Sequence, residues 1–208
     1  MNKRAISKNY FYWEPPIGSM VFDQRNVNTF LKKGKKPVES ALDFNDIETK
    51  ILIYEDRVKE WFLEIGKKLK QDNEAGFVIL QIALSYIEGN QQFREGKTSQ
   101  GKSKLFFRKA MKRIFNELFR NRNTDAILDK FYEQARCGLF HDGMTRRFVT
   151  ISGEFENALI INDSNIMINP HKFLDKVYND FEDYVTQLKN KDNKELIERF
   201  EKQWNSTG

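Results

Sequence analysis

The stretch IMINPHKFLDKVYNDFEDYVTQL, residues 166–188, shows a strand period turning into a helix period within five residues. Ile166, Met167 and Ile168 form a short apolar run of strand length. Asn169-Pro170 then reads as a helix N-cap followed by proline at the first helical position, where a missing N–H costs nothing. Beyond it Phe173, Val177, Phe181, Val185 and Leu188 recur every three or four residues, the spacing of one buried helix face. A long helix is predicted here, preceded by a β element.

Working back toward the N-terminus, the β signal covers about residues 147–168. Phe148, Val149 and Ile151 precede a Ser152-Gly153 break, and an apolar run from Ala158 to Ile161 precedes turn residues Asn162 to Asn165. Two or three short antiparallel strands are expected. Everything from residue 46 to that point reads as helical. Asp46 is an N-cap for a helix carrying Ile47, Ile51, Tyr54, Val58, Trp61, Phe62, Ile65 and Leu69. A second helix, 74–95, carries Phe77, Leu80, Leu84, Ile87 and Phe93, with Glu88 beside its apolar face. A third, 104–120, carries Phe107, Met111, Ile114, Phe115 and Leu118. After a turn at residues 121–124, a fourth begins near Asp125 and runs through Phe131 and Ala135 to the stop signal Asp142-Gly143. At the other end Leu196, Ile197, Phe200 and Trp204 make a last amphipathic piece. The expected class is mainly all-α: an antiparallel bundle of five or six helices with a small β-hairpin insert before the last long helix. Residues 1–45, punctuated by Pro15, Pro16, Gly18, Gly34 and Pro37, are expected to form an irregular arm packed on a domain spanning 46–208 through Tyr10 to Trp13, Val21 and Phe22.

The 208 residues include 18 Phe, 7 Tyr and 3 Trp, which argues against disorder. No run of about 18 apolar residues occurs, so no membrane span is expected. The first 13 residues lack the apolar core of a signal peptide, and a cytoplasmic location is expected. With 1 Cys and 2 His, a disulfide framework is excluded within one chain, and a metal centre would need several carboxylates. No cofactor and no metal are expected.

The net charge of +5 permits a nucleic-acid partner without demanding one. Its distribution is uneven. Lys32, Lys33, Lys35 and Lys36 form one basic cluster. Between Lys97 and Arg122 stand nine basic residues and one acid, Glu117. Within that stretch Lys102, Lys104, Arg108, Lys109, Lys112 and Arg113 are candidates for tracking an RNA backbone; the alternative is a solvated helix face. Residues 96–103, GKTSQGKS, match the spacing of a phosphate-binding loop, but a helix rather than a buried strand precedes them, so they read as a basic loop.

The chemistry concentrates in RCGLFHDG, residues 136–143. Histidine exchanges protons near neutral pH, and arginine forks onto phosphate oxygens. Together they suit cleavage of a phosphodiester by the neighbouring 2′-hydroxyl without a metal, His141 moving the proton and Arg136 stabilising charge on the phosphorus centre. On an α-helix five residues turn by about 140°, which puts the two side chains on different faces. Three resolutions stand open: a distortion near Gly138, a His141 beyond the helix end, or a site shared between two protomers. The competing readings are structural: a helix-terminal imidazole for His141, a salt bridge to Glu133 for Arg136, and burial for Cys137. Glu88, Cys137 and Asp142 are secondary candidates, Glu88 beside Arg136 and Asp142 as an orienter of His141 or a turn residue. His171 reads as structural.

RCGLFHDG resembles the R-x4-6-H signature of HEPN domains, with supporting pattern in Phe131-Tyr132-Glu133 and in the stretch from Ile166 to Val185. The likeness covers about residues 46–190, and the octapeptide is its specific part. It implies a helical bundle and a metal-independent endoribonuclease of toxin–antitoxin, abortive-infection or other defence systems. It also implies a homodimer, in which Arg136 and His141 of both chains line one cleft, with RNA as substrate and an antitoxin or other defence-system protein as partner. Where active members often carry Asn, Asp or His after the arginine, this chain has Cys137. Other members of the family are non-catalytic modules that bind RNA, nucleotides or proteins, which is the alternative expectation.

Overall fold

The computed structural model describes residues 2–5, 10–14, 29–32, 41–43, 45–120, 124–162 and 165–207. The protein is mainly helical with small sheets, and its contacts divide it into two units, Met1–Glu64 and Ile65–Gly208, rather than at residue 45.

In the first unit, the segment expected to be irregular holds four strands: β1 (Asn2–Ala5), β2 (Tyr10–Glu14), β3 (Thr29–Lys32) and β4 (Ala41–Asp43). They pair in order as an antiparallel sheet, with Asn2 opposite Glu14, Tyr10 opposite Lys32 and Thr29 opposite Asp43. Pro15, Pro16, Gly18, Gly34 and Pro37 lie outside the described residues, and the aromatic run of β2 suits a pleated strand. Val21, Phe22, Lys33, Lys35 and Lys36 lie outside the described residues, as do the side chains of Tyr10 to Trp13 and of Lys32.

Helix α1 (Ile47–Val58) starts as expected. The Asp46 carboxylate accepts from the Thr49 backbone N–H at 2.9 Å and from its hydroxyl at 3.1 Å. The expected apolar stripe then fails. Lys59–Leu63 is a π-helical turn, in which Leu63 is fully buried while Trp61 and Phe62 are exposed. A π turn takes about one more residue per turn than an α turn, so it moves every later residue off the preceding α-helical stripe.

In the second unit, α2 (Glu64–Leu69) opens at the division and leaves Ile65 exposed as well. Helix α3 (Gly76–Glu95) is central, packing against α4 (Ser103–Ile114), α7 (Pro170–Lys189) and α8 (Lys194–Thr207). Its buried face is Ile79, Leu80, Ala83, Leu84 and Ile87; Phe77, at the first turn, is exposed instead of buried. The third expected helix breaks at Phe115 into α4 and the short α5 (Asn116–Phe119). Edge-to-face rings knit the core: Phe107 meets Phe131 at 5.6 Å and Tyr132 at 5.4 Å, and Phe131 meets Phe173 at 6.2 Å. Each fully buried phenylalanine contributes about 1.5–3 kcal/mol over its exposed state.

The β insert has three strands: β5 (Val149–Ile151), β6 (Leu159–Ile161) and β7 (Ile166–Ile168), in the order β5-β7-β6. β6 pairs antiparallel to β7, with Leu159 opposite Ile168. β5, however, pairs parallel to β7, Val149 opposite Ile166, where antiparallel pairing was expected. A parallel neighbour needs a crossover, and residues 152–158 supply part of it. Asn169 fixes that crossover. Its side-chain amide donates to the Gly153 and Phe155 carbonyls, each at 2.8 Å, while its side-chain oxygen caps α7 by accepting from the His171 and Lys172 backbone N–H groups, each at 3.1 Å.

Candidate active site

The fourth expected helix begins as α6 (Asp125–Phe131) and continues as a π-helical segment, Tyr132–Asp142. Eleven residues of π-helix is unusual, since such geometry ordinarily appears as single turns, often at functional sites. Gly138 lies within it and Gly143 caps it. Gly143 ends it at φ 71°, a left-handed conformation that side chains disfavour. Gly138 lets the chain fold back on it: a Cβ there would lie 2.6 Å from the Met144 carbonyl oxygen. The returning chain is tied down by the Arg146 backbone N–H, which donates to the Gln134 carbonyl at 2.9 Å.

This geometry changes how Arg136 and His141 relate. An i→i+5 ladder has roughly 4.4 residues per turn, so five residues rotate a side chain to within about 50° of its starting direction. Ideal π geometry thus directs residues five apart toward similar sides of the segment rather than to different faces. Of the three resolutions open in the sequence, the structure has the helical distortion.

Arg136 is held from three directions. One guanidinium nitrogen donates to the Glu88 carboxylate at 3.3 Å. The Tyr132 ring lies 5.5 Å from the guanidinium carbon and the Phe140 ring 4.4 Å from it. Nε is buried and has no acceptor among the described residues. Glu88 itself is 9% exposed and accepts a 2.6 Å hydrogen bond from the Ser99 hydroxyl. Ser99 sits in the 96–103 loop, so that loop is joined to Arg136 through one buried carboxylate. Glu133, the partner considered from sequence, instead pairs with Lys104.

His141 is exposed and makes no hydrogen bond among the described residues. Asp142 does not orient it: its carboxylate accepts from Arg146 Nε at 2.7 Å. That hydrogen bond holds the Asp142 carboxyl below its ordinary range, with attraction to His141 a smaller contribution. Cys137 is a half-buried free thiol. Burial and the nearby Cys137 and Glu88 raise the Tyr132 phenol, against the effects of Arg136 and a Ser103 hydrogen bond.

The basic stretch is largely paired with acids. Lys104 meets Glu133, Lys112 meets Asp125, and Lys109 meets Glu95 at 2.9 Å. Arg108 reaches Asp125 at 3.3 Å and Asp129 at 3.4 Å. Arg113 turns inward to Asp180, which also receives Arg94 at 3.5 Å. Burial, aided by Arg94, lowers the Arg113 pKa to about 10. Lys102 is exposed and stands in no ion pair among the described residues. A cleft of about 520 Å³ beside it is lined by Gly101 to Leu105, Arg108 and Tyr132. The 96–103 loop follows helix α3, not a strand, and its Ser99 N–H is held by the Gln92 side chain at 3.1 Å.

Phe140 escaped notice in the sequence because it occupies the variable interior of the R-x4-H spacing. No group of three or more His, Cys, Asp or Glu residues is placed to hold a metal among the described residues, and none of their helices is long and apolar enough to cross a membrane. Comparison of the chain with protein-family models, with curated proteins and with solved structures finds no match.

Proposed function

We propose that the protein is a metal-independent endoribonuclease of HEPN type, a helical-bundle protein acting as a cytoplasmic homodimer in bacterial defence or a toxin–antitoxin pair. The observation that supports this reading is the π-helical segment, whose pitch directs residues five apart, as Arg136 and His141 are, toward similar sides. His141, exposed and unencumbered, takes the proton from a ribose 2′-hydroxyl as its oxygen attacks the adjacent phosphorus. Arg136 faces the charge that builds on the non-bridging oxygens. The 5′-oxygen leaves with a proton, supplied by the partner protomer's histidine in a shared cleft, and a 2′,3′-cyclic phosphate remains. Lys102 meets phosphate directly, and Lys104, Arg108, Lys109 and Lys112 exchange carboxylate partners for phosphates as RNA docks.

The test is incubation of end-labelled RNA with wild type, Arg136→Ala and His141→Ala in excess EDTA. Wild type leaves cyclic phosphate ends, while each variant loses about 10²–10⁴-fold in rate and keeps its circular dichroism. Normal cutting by both variants ends the proposal. A second reading, a non-catalytic module binding RNA, a nucleotide or a protein, draws on the Glu88 carboxylate that already occupies Arg136 and on the acid-paired basic stretch. RNA bound but left intact, together with harmless expression of the wild-type protein, favours it.

A further inference from the structure

Phe140 is a large apolar side chain with no place in the core. It is 43% exposed, whereas its neighbour Leu139 is buried. Among the described residues its one ring or cation contact is the Arg136 guanidinium, 4.4 Å from its centroid. That contact fixes the ring. A guanidinium against an aromatic face is favourable, and Arg136 is anchored in turn by buried Glu88 and by Tyr132. The result is a preorganised stack, Tyr132, Arg136 and then Phe140, whose outer member faces solvent beside an exposed histidine.

Such a stack lacks one layer. An aromatic ring held rigidly and left open suits a flat π-system, and every nucleobase has one. Because ring and guanidinium touch, a base on Phe140 would place the phosphate of the same nucleotide within reach of Arg136. A base inside a duplex cannot take that position, since it is already stacked on both faces.

We infer that Phe140 is the base-stacking platform of the site and selects single-stranded RNA, one unstacked nucleotide at a time, over duplex RNA. This rests on the RNA-binding part of the function proposed above, and not on cleavage. Phe140 is a binding and specificity residue; proton transfer stays with His141.

The experiment measures affinity by fluorescence anisotropy with three labelled probes that carry no 2′-hydroxyl: a single-stranded 2′-fluoro RNA 12-mer, the same strand in a duplex, and an abasic deoxyribose-phosphate 12-mer of equal charge. Wild type prefers the single strand to both other probes. Phe140→Leu keeps apolar bulk but removes the π face; it weakens single-strand binding by about 5- to 100-fold and leaves abasic binding unchanged. Phe140→Trp restores the preference. The inference is overturned if Phe140→Leu binds all three probes as wild type does, or if wild type fails to distinguish the base-bearing strand from the abasic one. It is also overturned if Phe140→Leu turns a dimer into a monomer in sedimentation, because the ring then packs on a second copy. The nuclease proposal fails separately. If wild type cuts no RNA yet shows a base preference that Phe140→Leu abolishes, the platform stands on a binding module. If wild type cuts and Phe140→Leu is indifferent, the platform falls and the nuclease stands.

Discussion

The Arg136 guanidinium donates to the Glu88 carboxylate at 3.3 Å, joining the π-helical segment to the middle of α3 across 48 residues of sequence. The other carboxylate oxygen takes the Ser99 hydroxyl at 2.6 Å. Both partners converge on one nearly buried acid, so each depends on the other. Glu88→Ala leaves a partly buried guanidinium and a buried hydroxyl without their acceptor, and should cost about 1–3 kcal/mol in urea denaturation. Ser99→Ala should cost less. The double variant should cost clearly less than the two added together, because both remove bonds to the same group. Strict additivity would show that the relay is not one unit.

Gly138 faces a backbone carbonyl, which cannot rotate away as a side chain could. Gly138→Ala should lower stability by about 1–3 kcal/mol, since the returning chain must move off the π segment. Thermal melting reads the loss. An unchanged melting temperature would mean that the return at Met144 to Arg146 is loose.

The Asp142–Arg146 pair makes a prediction in acid. Hydrogen bonding to Arg146 depresses the Asp142 pKa, so the folded chain binds that proton more weakly than the unfolded chain. The contribution is therefore present above the carboxyl's unfolded pKa and disappears as pH falls through its folded value. Stability of Asp142→Asn should differ from wild type near neutrality and converge with it in acid. Since both side chains are exposed, the difference should also shrink at high salt. A constant offset at every pH would contradict the pairing.

Lys102 and Arg113 should behave oppositely, although both lie in the same basic stretch. Lys102→Ala should weaken RNA binding evenly across sequences and reduce the salt slope by about one charge, with no change in melting. Arg113→Ala should chiefly alter stability, because its guanidinium is turned toward Asp180. Arg113 holds its proton less tightly folded than unfolded, with a pKa near 10, so its charge opposes folding below that pH unless Asp180 offsets it. Asp180→Asn removes the offset for Arg94 and Arg113 together and should destabilise more than either arginine substitution.

Much of the secondary structure was legible from local chemistry. Asp46 and Asn169 cap the helices they were expected to cap, because a cap is made by a side chain and the backbone two or three residues away. Phe173, Val177, Phe181 and Val185 are buried as their spacing requires. Trp61 and Phe62 are exposed because periodicity assumes an unbroken α phase, and the π turn at Lys59–Leu63 breaks it.

The sequence by itself determined the helical content, the strand-to-helix change at Asn169 and the presence of an arginine and a histidine five residues apart. Only the tertiary structure decided that the segment between them is π-helical, with a close return of the chain over Gly138. It also decided that Glu88 holds Arg136, that Asp180 draws Arg113 inward and that β5 runs parallel to β7. Capping and periodicity act over a few residues and can be read along the chain. Ion pairs, parallel strand pairing and backbone close approach join residues far apart in sequence, and exist only once the chain has folded.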